Sequence, residues 1–170
     1  LLIEAVKVGK GDFAAAGMTV TPERQQQVDF SKEYVKSSQY LIVQKGSDIT
    51  KDKLDGTVIA VQESTTGDYY ATDSVKAKEV LRFKGATETG AALSAGKCDA
   101  IILDKLPAEA VVANSNGKLE LIAEPLTEES YAFAVQKGNT ELLDAINATL
   151  QRLMDEGKMD ELVTKHANAA

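Results

Sequence analysis

Thr57-Val58-Ile59-Ala60-Val61 is an unbroken β-prone apolar run, and Gln62-Glu63-Ser64-Thr65-Thr66-Gly67 leads from it into a helical pattern ending at Asp73. The same succession then repeats. Glu79-Val80-Leu81-Arg82-Phe83 precedes a helix over Thr87 to Ala95, Asp99-Ala100-Ile101-Ile102-Leu103 precedes a helix over Lys105 to Asn114, and Leu119-Glu120-Leu121-Ile122 is a further strand. Strands separated by helical segments of about ten residues indicate βαβ units around a mainly parallel sheet, an α/β fold.

On the N-terminal side, Ser38-Gln39-Tyr40-Leu41-Ile42-Val43-Gln44 is a long β-prone segment ended by a loop at Lys45-Gly46-Ser47-Asp48. Upstream of it, Asp12 to Met18 suits a buried strand, and Thr21-Pro22-Glu23-Arg24 signals a helix start with Thr21 as cap and Pro22 at the first helical position. Leu1 to Gly9 reads as a helix with no capping residue before it, and neither an initiator Met nor a leader is present, so the sequence is expected to lack an N-terminal part. On the C-terminal side, Tyr131-Ala132-Phe133-Ala134-Val135 is a second extended run. Helical patterns follow over Thr140 to Glu156, with Leu142, Leu143, Ile146, Leu150 and Leu153 on one face, and over Met159 to His166. The α/β unit at about 45–125 is thus flanked by two segments expected to pack together, with 38–44 and 131–135 as crossings; paired crossings imply a hinge.

The composition narrows the function. Of 170 residues 44% are hydrophobic and 26% charged, which excludes disordered and fibrous classes, and the net charge of −7 argues against nucleic acid or an anionic membrane as partner. No stretch approaches the roughly 20 apolar residues of a spanning helix. One Cys (Cys98) and one His (His166) leave little for nucleophilic catalysis or a zinc site, so neither an enzyme nor a cofactor or metal is expected. Cys98 reads as a small buried hydrophobe and His166 as solvent-facing.

Three places invite a ligand. Arg24 stands third in its helix, where the dipole disfavours a cation unless an anion sits beside it; Thr19, Thr21 and backbone N–H groups at the Gly17 turn add neutral donors. The plainer account is a solvated surface Arg. Glu63-Ser64-Thr65-Thr66-Gly67 joins a strand to a helix and offers hydroxyls and free N–H groups to an anion, or Thr65 or Ser64 simply caps the helix. Asp104 closes a strand at the end where open parallel sheets bind ligands, or it too is a cap. An anion-seeking Arg and hydroxyl set together with a cation-seeking carboxylate describe a zwitterion, an amino acid. Gln62, Glu63, Tyr69, Tyr70 and Tyr131 are weaker candidates for contacts to its side chain.

Ala16-Gly17-Met18-Thr19-Val20-Thr21-Pro22-Glu23-Arg24 and Val28-Asp29-Phe30-Ser31 closely resemble the polar amino-acid binding proteins of ABC importers, bacterial extracellular solute-binding proteins with the type II periplasmic-binding fold. The likeness extends through Leu54-Asp55-Gly56, Ser64-Thr65-Thr66, Gly96-Lys97-Cys98-Asp99-Ala100, Leu103-Asp104, Ala134 to Asn139 and Asp155-Glu156-Gly157-Lys158-Met159. It implies two α/β lobes joined by a two-strand hinge. Residues 1–40 would be part of lobe 1, 41–44 a hinge crossing, 45–125 a complete lobe 2, 126–130 the second crossing and 131–170 the remainder of lobe 1. Lobe 1 would be partial, since relatives begin with a strand and helix that have no counterpart here.

The resemblance further implies that Arg24 grips an α-carboxylate, assisted by Thr19, Thr66, Gly17 and neighbouring Thr65, that Asp104 takes the α-ammonium, and that Gln62 lines the side-chain pocket. Ser64 replaces the Gly usual in the Gly-Thr-Thr turn. The expected function is capture of an amino acid between closing lobes and delivery to a membrane permease. The location would be periplasmic or extracellular, and an N-terminal lipid anchor is compatible with it. A ligand-sensing receptor ectodomain and a cyclohexadienyl dehydratase-like enzyme are the alternatives.

Overall fold

A computed structural model describes residues 2–167. The chain forms two units: residues up to Ser37 together with those from Glu129 on, and Ser38–Glu128.

The second unit carries a five-stranded sheet built from β4 (Gln39–Gln44), β5 (Val58–Gln62), β6 (Glu79–Phe83), β7 (Ala100–Asp104) and β8 (Leu119–Leu121). Their order is β6-β5-β7-β4-β8. β5 runs parallel to both β6 and β7, whereas β4 is antiparallel to both β7 and β8. This reversal brings the start of β4 to the carboxyl end of β7, where Gln39 pairs with Asp104.

Alternation along these strands builds two cores. Ile42, Ala60, Ile101 and Leu103 face Leu93 of α4 (Ala86–Ser94) and Ala108 and Val111 of α5 (Lys105–Ala113). Leu41, Val43, Ile59, Val61 and Ile102 face the other way, with Ala71 of α3 (Thr66–Asp73). Both faces are covered, which explains why the strands read as continuous apolar runs. Cys98 is buried in the first cluster, as its type suggests.

In the first unit, β9 (Glu129–Gln136) pairs antiparallel with β1 (Phe13–Thr19), β2 (Val28–Phe30) and β3 (Val35–Ser37). α1 (Leu2–Lys7) contributes Val6 to a core with Ala14, Met18, Val28 and Ala134. The sequence suggests a buried strand at 12–18, but only Ala14, Met18 and Thr19 of β1 are buried and Phe13 is 47% exposed. The reason is position: among the described residues β1 is last in the sheet order and pairs with β9 alone. α6 (Thr140–Asp155) starts on an Asn139 cap whose side chain accepts from the Leu142 N–H, and its apolar face is centred on buried Leu150. α7 (Lys158–Ala167) follows, with His166 exposed. Among the described residues no helix is long and apolar enough to cross a membrane.

Candidate functional site

The second unit gathers four of the expected residues at the carboxyl ends of neighbouring strands. Gln62 ends β5, Thr65 and Thr66 open α3, and Asp104 ends β7. Adjacent parallel strands place their following turns side by side, which is where ligands of open α/β sheets sit.

Thr65 is the N-cap of α3: its hydroxyl accepts from the Asp68 N–H at 3.3 Å and donates to the Gln62 carbonyl at 2.8 Å. The Thr65 side chain is therefore engaged in the turn, in line with the capping account. Ser64 before it has φ of 62°, a left-handed conformation that glycine adopts freely. Asp68 braces this turn. The residue is 6% exposed, and its carboxylate accepts from the Ser64 N–H at 3.0 Å and forms an ion pair with Arg82 Nε at 2.9 Å. Gln62 donates to the Lys84 carbonyl at 3.2 Å.

Asp104 occupies the N-cap position of α5 yet makes no side-chain cap hydrogen bond. Pro107 explains part of this: it stands third in the helix, where a capping side chain ordinarily finds an N–H, and proline has none. Asp104 Oδ1 instead accepts from Gln39 Nε2 at 2.7 Å, and the same nitrogen donates to Thr66 Oγ1 at 3.0 Å. Gln39 is fully buried, and the sequence reading passes over it. Its signal is a polar residue opening an otherwise apolar strand, legible only once β4 is known to pair with β7.

In the first unit, β1 bulges. Ala14 pairs with Ala134 but Met18 with Ala132, so four residue steps of β1 face two of β9. Gly17 lies in this bulge with φ of 55°, and a Cβ there would stand 3.3 Å from the Tyr131 ring. Close approach and left-handed backbone together require the glycine. Tyr34 lies nearby: burial raises its phenol pKa, and a backbone hydrogen bond from Gly17 opposes the rise. Thr19 follows the bulge, buried, and its hydroxyl donates to Glu129 Oε2 at 2.7 Å. Glu129 is the second residue missed by the sequence reading, its partner lying 110 positions away.

Arg24 sits in α2 (Pro22–Gln25), where Thr21 caps by accepting the Arg24 N–H at 3.3 Å. A four-residue helix has little macrodipole, so that ground for an adjacent anion carries less weight than the sequence pattern suggests. The guanidinium donates from Nη1 to the Thr19 carbonyl at 2.9 Å. Gly17, Thr19 and Arg24 thus form one cluster on the first unit, and Thr65, Thr66 and Asp104 another on the second, with Gln62 at the end of β5. Among the described residues no group of three or more His, Cys, Asp or Glu could hold a metal ion.

The model of the bacterial extracellular solute-binding proteins, family 3, matches residues 1–169. The chain belongs to this family. It is 35% identical over 166 residues to the ABC transporter glutamine-binding protein GlnH of Bacillus subtilis, spanning 96% of this chain and 60% of the relative's length. An ancestral arginine-binding protein bound to glutamine superposes with a TM-score of 0.88 at 36% identity, over 96% of this chain and 74% of that one. The ancestral amino acid-binding protein AncCDT-1, a precursor of cyclohexadienyl dehydratase, gives 0.86 at 32% identity, over 96% and 72%. This family member therefore has the α/β type II periplasmic-binding fold of these neighbours.

Proposed function

We propose that this family member is the capture component of an ABC importer. It binds a free amino acid and hands it to a membrane permease, outside the cytoplasmic membrane. The observation that carries this reading is the state of Asp104. It has the position of a helix cap, yet it makes no side-chain cap bond and a buried amide donates to its carboxylate, which presents the carboxylate as an acceptor at the carboxyl end of β7.

Arg24, anchored on the Thr19 carbonyl, takes the α-carboxylate together with Thr66, and Asp104 takes the α-ammonium. The Gly17 bulge and Thr19 shape the Arg24 side, Thr65 holds the turn that presents Thr66, and Gln62 lies toward the ligand side chain. A ligand stabilises whichever conformation it binds more tightly, by its differential affinity for that conformation. No bond is made or broken. The likeness to AncCDT-1 does not favour catalysis, since that protein is itself described as amino acid-binding.

The test is calorimetry on the full-length gene product with each standard L-amino acid. Arg24→Ala and Asp104→Asn are each expected to weaken binding by about 2–5 kcal/mol, since each leaves a charge of the ligand without its partner. Unchanged affinity in either variant would discard the zwitterion reading.

A further inference from the structure

We propose that Gln39 is a positioning residue that sets which groups on the second unit donate and which accept. This rests on the amino-acid capture reading and deepens it.

The Gln39 side chain is fully buried, so it acts through its neighbours. Its one NH2 group forks onto Asp104 Oδ1 at 2.7 Å and Thr66 Oγ1 at 3.0 Å. A carboxylate only accepts, so the amide nitrogen must face Asp104; turning the amide over would set oxygen against oxygen. The same fork occupies an acceptor lone pair of Thr66, so the Thr66 hydroxyl proton is directed away from Gln39 and toward an acceptor. Thr66 becomes a donor, suited to a carboxylate, while Asp104 is held as an acceptor, suited to an ammonium. One buried amide thereby imposes opposite senses on two neighbouring groups, as a zwitterion demands.

Two further observations show that the amide is held in this orientation at a cost. Gln39 Oε1 is buried without a hydrogen-bond partner, which native proteins seldom tolerate without a return elsewhere. Its neighbour is Gly67, the second residue of α3, where a Cβ would lie 2.5 Å from Oε1 and 3.1 Å from the Ile102 carbonyl oxygen. Any side chain at position 67 would drive the amide out of place. A tie between β4, β7 and α3 could be made by packing alone, whereas the fork with its orphaned oxygen is accounted for by polarity.

The variants Gln39→Met, of similar length with no hydrogen bonds, and Gln39→Glu, of the same shape with no N–H, separate the two roles. Three quantities are measured on the full-length gene product: thermal unfolding, calorimetric affinity for the standard L-amino acids, and the three-bond couplings that report Thr66 χ1. The expected result is at least about a tenfold loss of affinity in both variants; in Gln39→Glu two adjoining carboxyl groups must share a proton, which takes the carboxylate charge from Asp104 or costs a second, buried charge. In Gln39→Met the Thr66 couplings change from a single rotamer to an average. Affinity within threefold of the parent (~0.7 kcal/mol) in a folded Gln39→Met, with Thr66 still in one rotamer, would overturn the proposal whatever happens to the melting temperature. If the parent binds no amino acid, the capture reading fails by itself, and the Thr66 couplings still decide for or against Gln39. If one variant does not fold, the other is read alone by the same criteria.

Discussion

Ser64 and Asp68 close a short ring across the start of α3: the Ser64 N–H donates to Asp68 Oδ2 at 3.0 Å while Ser64 holds φ of 62°. A residue with a Cβ is strained in this left-handed conformation by roughly 1–2 kcal/mol, and glycine is not. Ser64→Gly keeps the backbone donor and removes the strain, offset in part by the greater freedom glycine has in the unfolded chain. It should stabilise the second unit by about 0.5–1 kcal/mol, read as a higher urea midpoint at unchanged slope. A lower midpoint would show that the serine hydroxyl contributes more than its backbone costs.

The ion pair behind that turn is buried on one side only. Asp68 is 6% exposed, whereas the Arg82 side chain is 44% exposed and also donates to Thr72 Oγ1 at 2.8 Å. Removing the cation strands a buried carboxylate; removing the charge of the carboxylate frees a cation that water can reach. Arg82→Met should therefore cost about 2–3 kcal/mol and Asp68→Asn about 1 kcal/mol. Equal costs in urea titrations of the two variants would contradict this asymmetry.

Cys98 should behave as a core residue until the protein unfolds. Burial, with a smaller contribution from the charge of Asp99, pushes its thiol from 9.0 up to about 11. Thiol reagents at pH 8 should label it at the rate of unfolding. The thiol is protonated in the folded state over a range where the unfolded state has lost the proton. Its contribution to stability is therefore complete below about pH 9 and lost as pH rises through about 11. Cys98→Val should flatten that part of the stability curve, and an identical alkaline decline in the variant would assign the effect to other groups.

The second unit was largely legible because its signals are local. Thr65 caps a helix that spans Thr66–Asp73, and the apolar runs at Val58–Gln62, Glu79–Phe83 and Ala100–Asp104 are strands within a residue of expectation. β2 and β3 were not, for three residues carry no period and each exists only by pairing with β9. The site divides in the same way. Arg24, Thr66 and Asp104 announce themselves by type and place in a turn, although Pro107 could also have removed the capping account of Asp104. Gln39 and Glu129 are invisible beforehand, because what makes them matter is a hydrogen bond to a residue 65 positions away in one case and 110 in the other.

The pairing of β9 also governs the order in which the chain can fold. All three partner strands of its sheet precede Ser38, and each is hydrogen-bonded to β9. Among the described residues, every strand pair of that sheet includes Glu129–Gln136, whereas the five strands of the other sheet are complete at Leu121. Joining Thr19 to Glu129 across an unfolded insert would close a loop of 110 residues, an entropic penalty that a prefolded insert with adjacent ends largely removes. Vectorial synthesis thus favours the second unit as the nucleus and makes β9 the strand whose arrival completes the first.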